Sequence, residues 1–421
     1  MTAGADIPAT GLPSLADASW LARPSTRAVL AALEAAGCEG RVVGGAVRNT
    51  LMGLPASDID VATSATPDIV ASACVRAGLA VVPTGLGHGT VTVIADHVRI
   101  EVTTLRRDVE ADGRHATVAF TDDWAEDARR RDFTMNALYC DARGRLYDFV
   151  GGYADLVARR VRFIGDADAR IAEDYLRVLR FFRFYATYAA GDPDRCAMGA
   201  CARGIAGIGR LSAERVRAEL VKLLVAPRAI AAVQAMGDIG LLPMLLGIAP
   251  RPGVVQRIVA AEAETGGSPD AMLRLSGLAI AVSDDIPRVA DRLRLSSEER
   301  KALLVIDRQA LNGLGAVDPR RAREVVYRKG AAASRRWALA LAAIAPERKA
   351  EADRLLRTAA QWQPPRLPVT GADLVARGMR PGPAIGKLLA ELEDWWIAQD
   401  FPAEQATIEQ LRSLLASRDA E

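Results

Sequence analysis

Lysine is nearly missing from this chain of 421 residues: only Lys222, Lys301, Lys329, Lys349 and Lys387 stand among its 54 Lys and Arg. Positive charge therefore rests on Arg, whose planar guanidinium forks two oxygens where an ammonium acts as a point charge. A GC-rich coding sequence explains the same bias equally well. An excess of either sign is also missing. The 52 acidic residues leave a formal charge of +2, so the overall balance announces no polyanionic partner. Cys38, Cys74, Cys140, Cys196 and Cys201 are odd in number and form no CxxC, which argues for reduced buried thiols and against disulfides or zinc. The longest apolar run, 337–345, is far short of the roughly 20 residues that span a bilayer. The N-terminus is acidic and Pro-rich, without the apolar segment of a signal peptide. A soluble, cytoplasmic protein with no membrane partner is expected.

What is present is a core-forming composition, 50% hydrophobic and 25% charged, in a chain long enough for roughly three domains. Two regimes follow one another. Between residues 41 and 164, short β-like runs at 42–43, 59–61, 90–94, 98–103, 138–140 and 161–164 alternate with helical patterns. Helices are predicted at 25–36, stopped by Gly37, and at 67–77, opened by Pro67. Asp141-Ala142-Arg143-Gly144 reads as a hairpin turn. Beyond about residue 168 only helical periods continue, at 169–188, 212–224, 228–237 and onward, broken by loops such as Gly191-Asp192-Pro193 and Gln363-Pro364-Pro365.

Asp58-Ile59-Asp60 is the leading catalytic candidate. On a strand, the i, i+2 spacing turns both carboxylates to one face with Ile59 buried behind. Adjacent carboxylates repel unless a cation lies between them, an arrangement suited to Mg2+. Glu101, in the alternating run Val98-Arg99-Ile100-Glu101-Val102-Thr103, can supply a third carboxylate from a neighbouring strand, the set that two-metal phosphoryl transfer requires. Alone, a DxD is more often a solvated strand end. Its context shifts the balance, because Val43-Gly44-Gly45-Ala46-Val47-Arg48 precedes it as a strand end, a double Gly and a helix start. Gly lets backbone N–H groups approach a phosphate there, and Arg48, one turn in, can fork a phosphate oxygen.

Two further stretches set guanidiniums beside carboxylates. Arg130-Arg131-Asp132-Phe133-Thr134-Met135-Asn136-Ala137-Leu138 combines phosphate forks with groups able to bond ribose hydroxyls. The plainer account is an Arg-rich helix start with Asp132 as a local partner. Glu173-Asp174-Tyr175-Leu176-Arg177-Val178-Leu179-Arg180-Phe181-Phe182-Arg183-Phe184 reads as one helix, with Asp174 and Arg177 as i, i+3 neighbours. Its plainer account is one surface ion pair and two solvated Arg. A carboxylate beside a guanidinium complements the amino donor and ring-nitrogen acceptor shared by cytosine and adenine, and mismatches uracil and guanine. One such pair can select C and A without a template.

These motifs together resemble those of class II tRNA nucleotidyltransferases and bacterial poly(A) polymerases. The likeness covers about residues 44–224, with Gly53 also matching, and continues loosely to about 386 through Thr370-Gly371-Ala372-Asp373-Leu374 and Gly382-Pro383. Asn49 departs from the Asp usual in that family. The resemblance implies an α+β chain: a nucleotidyltransferase head with a small mixed sheet, then an all-helical neck, body and tail. The divisions expected are 1–40, 41–165, 166–226, 227–345 and 346–421. It implies that Asp58 and Asp60 bind Mg2+ and that Glu101 acts with them, as a ligand or as a base. Gly44, Gly45 and Arg48 are then at the triphosphate, Arg131 contacts the nucleotide, and Asp132 and Asn136 shape the sugar site. Asp174 and Arg177 read the base, with Arg180 and Arg183 assisting.

The implied reaction is template-independent addition of CCA to the 3′ end of tRNA from CTP and ATP, with no DNA partner. Thr84-Gly85-Leu86-Gly87-His88-Gly89 takes the form of CCA-adding enzymes, in place of the Arg-rich strand of poly(A) polymerases, and residues 106–126 match the loop used to switch from C to A. Poly(A) synthesis or A-only addition is the alternative. Only His88, His97 and His115 occur, with no His-Asp pair, so the phosphohydrolase activity of some relatives is not expected. Intact Asp58, Asp60 and Glu101 argue against a non-catalytic RNA-binding protein, and the long helical body argues against a small-molecule nucleotidyltransferase. Arg320, Arg321, Arg323, Arg328, Lys329, Arg335 and Arg336 are either a phosphate-contacting surface or a solvated face.

Overall fold

The computed structural model describes residues 11–56, 58–82, 87, 89–108, 118–304, 311 and 313–419. It divides into two compact units, Met1–Leu245 and Leu246–Glu421. In the first, short β-branched runs form β1 (Gly40–Val43), β2 (Asp60–Thr63), β3 (Ala80–Val82), β4 (Thr90–Ala95), β5 (Val98–Thr104), β6 (Arg106–Asp108), β7 (Val118–Phe120), β8 (Leu138–Cys140) and β9 (Leu146–Asp148). Seven of them make one sheet in the order β3-β4-β5-β2-β1-β8-β9, and β6-β7 is a separate ribbon. β2 and β5 run parallel while the other pairs of this sheet are antiparallel. The sheet is mixed, as expected.

Register places the site. Tyr139, Val43, Asp60, Glu101 and Thr92 pair successively across five strands, and directly opposed residues share a face. Behind that face lie α1 (Pro24–Ala35) and, after the glycine turn and α2 (Gly45–Leu51), α3 (Pro67–Arg76). Leu33 of α1 presses so closely on β1 that a Cβ at Gly40 would lie 2.7 Å from its Cδ1. On the Asp60 side, Val43, Ala62, Leu105, Tyr139, Tyr147 and Ile164 are buried with Trp124 and Ala128 of α4 (Trp124–Arg129).

Helices α5 (Gly152–Val157), α6 (Ala167–Glu173), α7 (Leu176–Tyr188), α8 (Arg195–Gly204), α9 (Ala213–Leu224) and α10 (Ala229–Asp238) follow. Phe133 joins the sheet side to α7, with ring centroids 5.0 Å from Phe163 and 4.8 Å from Phe184. The second unit is helical throughout its described elements, and its last helices close over Val369, Leu374, Leu388, Leu392 and Leu411.

Two expectations are corrected. Residues 161–164 form no strand: a lone Phe133–Phe163 bridge forms, flanked by Thr134 N–H to Arg162 O and Ile164 N–H to Asp132 O. That segment satisfies its backbone against the loop that Phe163 packs on, not against a ladder. The helix expected over 169–188 is broken between α6 and α7 at Asp174, which is extended (φ −152°, ψ 105°) and whose Oδ1 caps the Leu176 N–H at 3.0 Å. Tyr175 turns its ring onto Gly207, where a Cβ would lie 2.0 Å from Tyr Cε1. Gly207→Ala is therefore expected to cost the first unit about 1–3 kcal/mol through overpacking, read as a lower urea midpoint at unchanged m-value. Gly209→Ala, with nothing within 4 Å of its added carbon, should leave the midpoint in place.

Candidate active site

Asp58 lies exposed just ahead of β2, Ile59 is 4% exposed and backs it, and Asp60 opens the strand half-buried. Parallel pairing sets Asp60 directly against Glu101 of β5. Burial first, then the Glu101 carboxylate, push the Asp60 carboxyl up to about 6, with Asp58 adding to the rise and the Arg131 guanidinium opposing it. Among the described residues no three such side chains converge as a ready-made metal cage; what is in place is the Asp60–Glu101 pair with Asp58 acting on it. The donor set fits a hard divalent ion: all oxygens, adjacent, and with one carboxyl already destabilised in its charged form.

Gly44 makes the turn into α2 at φ 77°, ψ −121°, a conformation that a Cβ disfavours. Arg48, one turn later, is buried. Its Nη1 donates to Asn136 Oδ1, its Nη2 to Tyr188 Oη (2.7 Å) and Asn49 Oδ1 (2.8 Å), and its Nε to Asn49 Oδ1 (3.1 Å). Asn49 in turn donates to Pro55 O at 2.9 Å, so the Asn found at this position bonds locally.

Arg130, Arg131 and Asp132 leave the end of α4 and do not begin a helix. The group organising them is Asp127, 1% exposed, which the sequence reading did not single out. It accepts from Arg130 Nε (2.8 Å) and Nη2 (2.5 Å), from Arg131 Nη2 (3.0 Å) and Nε (3.2 Å), and from Tyr139 Oη (2.8 Å). Burial alone would raise its carboxyl; the Arg131 and Arg130 guanidiniums hold it below the usual carboxylate range. Asp132 takes the Phe133 N–H (2.8 Å), the Asn136 amide (3.0 Å) and a two-pronged contact from Arg180 of α7, Nε at 2.8 Å. Again the guanidinium outweighs burial, and the Asp132 carboxyl lies low.

Asp174 and Arg177 are close in sequence but not paired as side chains. Because Asp174 leaves the helix, its Oδ2 meets Arg215 Nη2 at 2.7 Å, while Arg177 binds Glu173 and donates to Arg170 O at 2.7 Å. Arg183 is tied to the buried Glu219 of α9 at 2.5 Å. The structure thus sets Asp60 opposite Glu101, with Asp58 and Arg131 near enough to act on its charge, and separately chains Arg48, Asn136, Asp132 and Arg180. Two signals for the missed residues were present: Asp127 stands three and four residues before the arginines, and Arg180, Phe184 and Tyr188 recur at helical spacing. Residues 84–86, His88 and 109–117, with Asp112-Gly113-Arg114 and His115, fall outside the described residues.

Ser212 caps α9 through the Arg215 N–H. In the second unit, the arginine cluster is tied internally: Arg323 to Asp400, Arg328 to Asp394 and Glu324, Arg336 to Asp270, and Arg320 to Ala398 O.

The family described as "Poly A polymerase head domain" matches residues 40–162, and "Probable RNA and SrmB- binding site of polymerase A" matches 197–251. The chain is 36% identical over 371 residues to the mitochondrial CCA tRNA nucleotidyltransferase 1 of Mus musculus, covering 87% of this chain and 85% of that protein. It is 31% identical over 398 residues to the CCA-adding enzyme of Levilactobacillus brevis, covering 91% and 95%. The crystal structure of the Bacillus stearothermophilus CCA-adding enzyme in complex with CTP superposes with a TM-score of 0.71 at 25% identity, over 94% of this chain and 99% of that one.

Asp127→Asn removes the charge that three donors share. The expected cost is about 3 kcal/mol, at the low end for a broken buried pair because both guanidiniums reach solvent. A urea midpoint of the first unit lowered accordingly, with partial recovery in Asp127→Glu, checks it.

Proposed function

The chain belongs to the CCA tRNA nucleotidyltransferase family, and from its site we propose how it adds CCA, without a template, to the 3′ end of tRNA from CTP and ATP. The observation that carries the proposal is the register of Asp60 against Glu101, with Asp58 beside them and Arg131 facing Asp60. In the reaction the RNA 3′-oxygen attacks the α-phosphate, its proton departs, and pyrophosphate leaves. Asp58 and Asp60 are the residues we assign to a divalent cation, Mg2+, which when bound supplies positive charge that acidifies the 3′-hydroxyl and offsets charge gathering at the α-phosphate. Glu101, exposed beside Asp60, either completes that ligand set or takes up the 3′-hydroxyl proton. The Gly44-Gly45 turn admits the triphosphate to the backbone, and Arg48 and Arg131 carry the guanidiniums we assign to nucleotide oxygens. Asp132 and Asn136, held rigid by Arg180, face the sugar.

For the base, Asp174 accepts from the exocyclic amino group and Arg177 donates to the ring nitrogen that cytosine and adenine share. Asp174's present partner, Arg215, does not prevent this, since such a solvent-accessible pair is worth only about 0–1 kcal/mol; Arg177, more enclosed, has to exchange Glu173 and the Arg170 carbonyl for the base. Arg180 and Arg183, further along the same helix, assist the base and phosphate contacts. The likeness to CCA-adding proteins over most of the chain favours this over poly(A) synthesis. The five-part division into 1–40, 41–165, 166–226, 227–345 and 346–421 is retained as our proposal, as is a cytoplasmic setting on the strength of free cysteines throughout. No described helix is long and apolar enough to cross a membrane, and relatives of this family include proteins named as mitochondrial.

The test uses tRNA transcripts lacking CCA, lacking only the terminal A, or complete, with CTP, ATP and Mg2+. Three ordered additions, one addition and none are expected. A long A ladder on any RNA would instead establish a poly(A) polymerase. Asp58→Ala and Asp60→Ala should each lower turnover by about a thousandfold, the scale of several kcal/mol of charge stabilisation; native turnover in either would remove the metal assignment. Asp174→Ala and Arg177→Ala should relax CTP and ATP selection more than they change the KM for tRNA.

A further inference from the structure

Arg48 is a buried cation held entirely by neutral groups. It is 5% exposed, and its partners are the side-chain oxygens of Asn49, Asn136 and Tyr188. Among the described residues no carboxylate pairs with it. Burial without a counter-charge is costly for a guanidinium, and burial does pull its pKa below the ordinary range. At position 49 an Asp would have offered the same oxygen with a compensating charge; Asn offers only the oxygen. The positive charge therefore stays available beside the Gly44-Gly45 turn.

Tyr188 supplies the neutral grip. Its hydroxyl accepts from Arg48 Nη2 at 2.7 Å, and its ring lies 4.1 Å from Arg48 Cζ. Phe184, one turn earlier on α7, adds a second ring at 5.1 Å. One turn earlier again, Arg180 fixes Asp132, which holds the Asn136 amide, whose carbonyl oxygen accepts from Arg48 Nη1. A single stripe of α7 thus reaches Arg48 directly and also through three side chains.

We propose that Tyr188 is a positioning residue for triphosphate recognition: with ring and hydroxyl it aims the Arg48 guanidinium, so that the helix carrying the base-reading arginine also sets the phosphate-binding one. This rests on the reading of Arg48 as a triphosphate contact. It makes a specific demand. Tyr188 acts on the phosphate end, so it affects CTP and ATP alike and leaves the choice between them untouched.

The probe is inorganic tripolyphosphate, which lacks a base, titrated calorimetrically into the full chain with Mg2+ in excess. Tyr188→Phe keeps the ring and removes the hydroxyl. It is expected to weaken tripolyphosphate binding about tenfold, the scale of one hydrogen bond to a charged group. The KM for CTP and ATP should rise by the same factor, with their ratio and the KM for tRNA unchanged. In an Arg48→Ala background, Tyr188→Phe should add no further loss, a non-additivity that general destabilisation would not produce. Native tripolyphosphate affinity in Tyr188→Phe alongside weakened binding in Arg48→Ala would overturn the proposal and leave the Arg48 reading standing. Additive losses would overturn it too. Native affinity in Arg48→Ala would overturn the Arg48 reading itself, and the role of Tyr188 with it.

Discussion

Asp60 and Glu101 stand opposite one another on parallel strands, and holding two carboxylates in that register, one of them half-buried, is the constraint that the rest of the site depends on. The strands hold them there from behind. Ile59, Val61, Ile100 and Val102 are all buried on the reverse face, and a slip of one residue would bring them to the front. Burying four such side chains contributes roughly 6–12 kcal/mol. The rise of the Asp60 carboxyl from 3.8 to about 6, caused first by burial and then by Glu101 and Asp58, corresponds to only about 3 kcal/mol against its charged form. Packing wins, and the carboxylates keep their register.

The scarcity of lysine acquires a structural meaning. Arg side chains form forked or stacked contacts inside the fold that an ammonium could not reproduce. Arg130 and Arg131 share Asp127, Arg160 and Arg162 share Asp155, and Arg274 is buried against Glu262. Arg41 is sandwiched with its Cζ 4.0 Å from the Trp124 ring and 3.7 Å from that of Tyr147. In the first unit these guanidiniums brace the sheet and the loops beside it, and Arg131, which we also assign to nucleotide, is among them. Arg48 differs in having only neutral hydrogen-bond partners.

Much of this was legible in the sequence because the information is local. Alternation in Val98-Arg99-Ile100-Glu101-Val102-Thr103 gave both the strand and the outward Glu101, and the double Gly before Arg48 gave the turn. What escaped depends on residues far apart in the chain. Nothing near Asp174 and Tyr175 breaks a helix; the break follows from the space at Gly207 and the partner at Arg215. The run at 161–164 has strand composition, yet its neighbour is a loop with one bridging pair. Asp127 was within reach of a spacing argument, but only burial reveals that it anchors both arginines. Tyr188 needed the tertiary fold, since its partner Arg48 lies 140 residues away.

The central claim is that Asp58, Asp60 and Glu101 form a carboxylate set completed by a divalent cation. Its most direct test is a carboxyl-carbon NMR titration of Asp60 in the full chain, without and with Mg2+. Without the ion the midpoint should lie near pH 6, because the charged form is penalised by burial and by its neighbours. With saturating Mg2+ the midpoint should fall below the ordinary carboxyl value, since the cation favours the charged form. A midpoint near 6 in both conditions would contradict the account.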